Sequence, residues 1–127
     1  MARDTMQYDH TAYADTTHSE RADCAVRAVS VAACLSYDEV YALFASVGRR
    51  AGKPTQISIT EQVITQLFPG VHYCPTWGIT LTSFLPEHNL GHYVVHVPNH
   101  LIAVCDGVVY DWRLRRYRRI HGYWRVC

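Results

Sequence analysis

Cys24 sits in the run Asp-Cys-Ala-Val-Arg-Ala, where an acidic residue precedes a stretch of helical spacing. Ala25, Val29, Ala32, Ala33 and Leu35 recur at helical intervals, which predicts a helix over roughly 24–35 with Cys24 at its first position. At a helix start the unpaired amides and the helix dipole favour an anion. The thiolate is the nucleophilic form of cysteine, so this position suits a nucleophile. The other four cysteines lack that setting: Cys34 falls at the far end of the same helix, Cys74 in a loop, Cys105 beside a turn and Cys127 at the last position. The competing account of Cys24 is a small buried apolar residue.

A nucleophilic cysteine needs a base, and the base needs an orienting partner. The segments Gly91 to Val97, His100 to Cys105 and Val108 to Trp112 are β-rich, and Asp106-Gly107 is a type I′ hairpin signal. That turn pairs Cys105 with Val108 and Ile102 with Asp111. Period-two alternation then places His100, Ile102, Val104, Val109 and Asp111 on one face. Asp111 becomes a diagonal neighbour of His100, roughly 7–8 Å away by backbone and within side-chain reach. A carboxylate there would fix the imidazole tautomer and stabilise its cation. A register slip of one residue would turn His100 away and leave His96 as the fallback base.

The elements that must carry these residues divide the chain in two. Asp23 is expected to cap the first helix through its side chain. Ser36 and Glu39 make a capping box for a second helix over roughly 37–47, with Val40, Leu43, Phe44 and Val47 as its buried stripe and Gly48 at its end. Ser58 and Glu61 make another for a helix over about 59–68, closed by Pro69 and Gly70, and a weaker helical turn falls at 81–86. Helices first and strands later predict an α+β domain, N-terminal helices packed on a C-terminal antiparallel sheet. Residues 1–22 are polar and irregular and read as an arm.

Bulk properties exclude several classes. The 127 residues make one domain, 49% hydrophobic and 18% charged, with net charge +1. No apolar run is long enough to span a membrane, and the first residues lack the apolar stretch of a signal peptide. The five cysteines are odd in number and include no C-x-x-C pair, so reduced thiols in a cytoplasmic setting are expected. His88, His92, His96 and His100 raise metal binding, but no paired ligand motif accompanies them, and neither metal nor cofactor is expected. Arg113, Arg115, Arg116, Arg118, Arg119 and Arg125 crowd a C-terminal run interleaved with aromatics. Such a run could grip phosphates and stack bases. It is read instead as a solvated edge strand whose charge prevents aggregation, and nucleic-acid binding is disfavoured.

The segments ERADCAVRAVSVAACLSYDEVYALFASVGRR and HLIAVCDGVVYDW…IHGYW resemble small papain-like proteins found often in bacteriophages, akin to C39-like peptidases. The likeness covers residues 20–50 and about 99–125, and its most specific features are DCAVRA, SYDEVY, GRR and H-L-x-A-V-x-D-G-x-x-Y-D. It implies a papain-like cysteine protease fold with Cys24, His100 and Asp111 as the catalytic triad. It also implies a protein or peptide substrate, with a host protein as one candidate partner. Papain-like enzymes often use a Gln several residues before the nucleophile as oxyanion donor; this chain carries His18, Ser19 and Glu20 there. The alternative is a non-catalytic phage protein that retains the fold and binds a host factor.

Overall fold

The computed structural model describes residues 7–9, 22–111 and 118–127. In chain order the elements are β1 (Tyr8–Asp9), α1 (Cys24–Ala33), α2 (Tyr37–Ser46), α3 (Ile57–Leu67), β2 (Cys74–Thr80), α4 (Leu81–Glu87), β3 (His92–Val97), β4 (His100–Cys105), β5 (Val108–Tyr110) and β6 (Arg119–Arg125). The strands form one sheet in the order β1-β5-β4-β3-β6-β2. The α+β class holds. The expected purely antiparallel sheet does not, because β1 runs parallel to β5, pairing Tyr8 with Val109 and Asp9 with Tyr110. A parallel pair needs a long connection between its strands, and here almost the whole described chain lies between them.

The two cores lie on opposite faces of the sheet. Ala25, Val29, Val40, Phe44, Val63 and Ile64 from α1–α3 pack with Val94, Leu101, Ala103 and Trp124 on one face. Leu81 and Phe84 of α4 pack with Tyr93, Val95, Val97, Ile102, Val104 and Val109 on the other. Strands β3 and β4 are therefore covered on both sides, which is why they read as nearly continuous apolar runs. Each large side chain so enclosed contributes about 1.5–3 kcal/mol to stability.

The β4–β5 hairpin has the expected register, Cys105 with Val108 and Val104 with Val109. Asp106 and Gly107 take φ of +48° and +85°, as a type I′ turn requires. A second two-residue turn, Pro98-Asn99, joins Val97 to its partner His100, with Asn99 at φ +56°. That turn makes His100 the first residue of β4.

The capping expectations divide. Ser36 accepts from the Glu39 amide and the Glu39 side chain returns to the Ser36 amide, so the capping box of α2 forms. Ser58 and Glu61 do not cap α3; that helix begins earlier, with Gln56 at its N-cap and no side-chain cap bond. Asp23 precedes α1 as expected, yet its carboxylate caps nothing. Fully buried, it accepts instead from Arg27 Nε at 2.9 Å and the Tyr37 hydroxyl at 2.6 Å. A buried guanidinium one turn ahead outcompetes a neutral amide, since charged hydrogen bonds are roughly twice as strong.

Strands β2 and β6 correct the reading of the second half. The segment Arg119–Arg125 is an interior strand between β3 and β2, not an edge strand. Ile120, Gly122 and Trp124 are buried while Arg119, His121 and Arg125 are exposed. Ile120 packs into the α4 core and Trp124 into the α1–α3 core, so a basic run hides apolar residues that serve both. Of the expected arm, only Gln7 to Asp9 and Ala22 are described, and Trp112 with the arginines at 113, 115 and 116 lies outside the described residues.

Candidate active site

Helix α1 lies across β4 and β3. Its first residue, Cys24, opens into a cleft of about 630 Å³ that also takes in His100, His96, Asn99, Leu101, Ala22 and Thr55. Volumes of this order are usual for ligand sites. Because the Asp23 carboxylate turns inward, the first-turn amides of α1 receive no side-chain cap from it.

The structure brings Cys24, His100 and Asp111 together. His100 Nε2 donates to Asp111 Oδ1 at 2.5 Å. Cys24 lines the same cleft as His100 and supports the charge on its ring. Burial by itself would lower the His100 pKa. Hydrogen bonds to Asp111 and Cys24, and the charges of both, outweigh it and raise the imidazole from 6.5 to about 9. At neutral pH His100 is therefore cationic, the form that donates through both nitrogens. Asp111 is only 3% exposed, so a solvated surface carboxylate is excluded.

Arg118 is a member of this site that sequence reasoning did not single out. Its Nη1 lies 3.7 Å from Asp111 Oδ2 and its Nη2 donates to the Pro98 carbonyl at 3.5 Å. One guanidinium thus braces both the carboxylate and the turn that delivers His100. No local signal pairs Asp111 with Arg118 in the sequence, and the neighbouring arginines give Arg118 no distinction.

A second polar wall comes from β3. His96 lines the cleft, and its Nδ1 lies 3.0 Å from the Tyr73 hydroxyl. Burial, and to a lesser degree the neighbouring His121, lower the His96 pKa, so its imidazole is neutral at pH 7. The other two histidines of that stretch are engaged elsewhere, and the cleft is lined by His96 and His100. His88 is tied to the Phe84 carbonyl and stacks on Phe84, while His92 Nδ1 lies 2.9 Å from the Ala32 carbonyl. No group of His, Cys, Asp and Glu suited to a metal ion occurs among the described residues.

Of the remaining thiols, Cys105 is buried while Cys34 and Cys127 are exposed. Burial, aided by nearby Cys34, Asp106 and Cys127, pushes Cys105 up to about 12. All five cysteines are free thiols in the structure. The upstream positions His18, Ser19 and Glu20, where an oxyanion donor was sought, lie outside the described residues. No described helix is long and apolar enough to cross a membrane. In comparisons with known proteins, the chain matches no family model, no curated protein and no solved structure.

Proposed function

We propose that the protein is a papain-like thiol hydrolase acting on an amide or isopeptide carbonyl of a protein or peptide, with Cys24 as nucleophile, His100 as base and acid, and Asp111 as orienting group. The observation that carries this reading is the line Cys24–His100–Asp111, built at the mouth of one cleft. The order supports the papain-like assignment: a cysteine opens a helix, and a later antiparallel hairpin supplies histidine and carboxylate.

The chemistry follows from the protonation states. The Cys24 sulfur attacks the carbonyl carbon, a C–S bond forms, and the carbonyl π pair moves to oxygen. Collapse of that oxyanion expels the amine, which takes a proton from His100. Water then attacks the thioester carbon and gives a proton back to His100; the C–S bond breaks, its electron pair returns to Cys24, and the acyl group leaves as the carboxylic acid. Asp111 keeps its proton balance throughout and holds the imidazolium in place. The backbone amide of Cys24 supplies one hydrogen bond to the oxyanion.

Alkylation with iodoacetamide at pH 6, mapped by mass spectrometry, tests the proposal. Cys24 should react selectively, and His100→Ala should suppress that reaction. Uniform slow labelling of the exposed Cys34 and Cys127 in preference to Cys24 would refute an activated thiol.

A second reading, a binding protein that keeps the fold without turnover, draws on Trp77. This side chain is 90% exposed and sits at φ +59° on the edge strand β2, where the pairing with β6 is irregular. Bulky residues rarely hold that backbone conformation. Trp is also a residue type that anchors interfaces. Full biological activity in Cys24→Ala would select this reading over the hydrolase.

A further inference from the structure

We infer that His96 is the second oxyanion donor of the cleft, its Nε2–H directed at the acyl oxygen and its tautomer set by the Tyr73 hydroxyl. This inference rests on the hydrolase reading and completes it, since one backbone amide is half of a usual oxyanion hole.

Four observations meet at this residue. His96 lines the cleft that holds Cys24 and His100. Its Nδ1 is engaged by Tyr73 at 3.0 Å, so Nε2 is the nitrogen left for the cleft. A phenol is a better donor than acceptor and an imidazole nitrogen a good acceptor, so the proton of this bond belongs to Tyr73. Burial raises the Tyr73 pKa, which keeps that proton in place. The ring of His96 then carries its own proton on Nε2, and its neutrality follows from burial and from His121, whose ring centroid lies 5.0 Å away.

The contact with Tyr73 is built into the sheet. Gly122 is the residue directly opposite His96 in the β3–β6 ladder. A Cβ at Gly122 would collide with the Tyr73 ring, and would come 2.7 Å from the Cys74 carbonyl oxygen. The absence of a side chain there lets Tyr73 lie across the strand and reach His96. Trp124 holds the other side of the phenol ring edge-on, with centroids 4.8 Å apart. A half-buried histidine fixed this way presents one donor in a defined direction. Such a donor strengthens its bond as charge develops on oxygen and needs no reorganisation at that moment. Asn99, which also lines the cleft, is exposed.

The test separates attack on carbonyl from reactivity of sulfur. The full chain is acylated with p-nitrophenyl acetate, following the burst of nitrophenolate, and separately alkylated with iodoacetamide, which forms no oxyanion. In the acylation the C–S bond forms, the carbonyl pair moves to oxygen and returns, and nitrophenolate leaves without needing a proton. His96→Ala should lower the limiting acylation rate about 100-fold with little change in half-saturation, while alkylation stays within about twofold. His96→Gln, which restores a donor, should recover about tenfold. Tyr73→Phe should cost about tenfold and leave alkylation unchanged. Acylation of His96→Ala at the wild-type rate overturns the assignment. So does a parallel loss of acylation and alkylation, which would mark a structural role, and so does a change confined to half-saturation. A wild type acylated no faster than Cys24→Ala would instead sink the hydrolase reading, and this inference with it.

Discussion

Replacing Asp111 with Asn keeps shape and hydrogen-bonding capacity but removes the charge that holds His100 cationic. In the folded protein His100 titrates at about 9, against an ordinary 6.5, with burial pulling the other way. The difference is worth about 3 kcal/mol at 1.36 kcal/mol per pH unit. The sign follows from linkage: the folded pKa is raised, so this stabilisation is fully present below pH 6.5 and is lost as pH rises through 9. Asp111→Asn should lower the His100 pKa by at least about one unit, because the bond at 2.5 Å is among the interactions that outweigh burial. Cys24 also supports the cation, so the cleanest measurement is a carbon-edited NMR titration of the ring in a Cys24→Ser background. Urea unfolding should show wild type more stable than Asp111→Asn by about 1–3 kcal/mol at pH 6. That gap should shrink by pH 10, where His100 is neutral in both while the Arg118 contact still distinguishes them. An Asp111→Asn protein whose His100 titrates where the wild type does would refute the electrostatic account of the site.

Cys24→Ala and His100→Ala should each abolish ester and peptide turnover with unchanged circular dichroism, while Asp111→Ala should lose less, since it orients and does not react. Asp23→Ala should cost about 3 kcal/mol in urea unfolding, because it strips the Arg27 guanidinium of a carboxylate at 2.9 Å in a site with 2% side-chain exposure. Gly122→Ala should destabilise by about 1–3 kcal/mol through overpacking against Tyr73 and the Cys74 carbonyl. A cleft that accommodates the Gly122 methyl group without loss in thermal unfolding would show that Tyr73 is free to move.

What could be read from the sequence was local. The helix at Cys24, the capping box at Ser36 and the Asp106-Gly107 hairpin each depend on residues within a few positions of one another, and each formed. The shared face of His100 and Asp111 followed from the turn alone. The misreadings were competitive or non-local. Asp23 had a cap available one residue away and chose a buried guanidinium one turn on. Strand β2 contains Pro75 and Gly78, residues that weaken strands, and its pairing with β6 shifts register between Pro75 and Ile79. Strand β1 is two residues long and exists only because β5 offers an edge. In β6 the arginines drew the reading to the surface, although Ile120 and Trp124 are apolar residues that fill the two cores.

The same limit explains why the candidate site was half legible. Cys24 and His100 stand at the ends of their elements, and an end is defined by caps and turns that sequence shows. His96 lies inside a strand, and its importance comes from what β6 places opposite it. Its four-residue spacing from His92 put both histidines on one face, but only the sheet order makes that face the one α1 covers. On the proposed reading, the fallback base for a wrong register is, in the correct register, a neutral donor beside the base. The two histidines differ because their partners differ: a carboxylate at His100 and a phenol at His96. Two imidazoles in one cleft, one charged and one neutral at pH 7, can move a proton and bind an oxyanion at the same time without competing for either task.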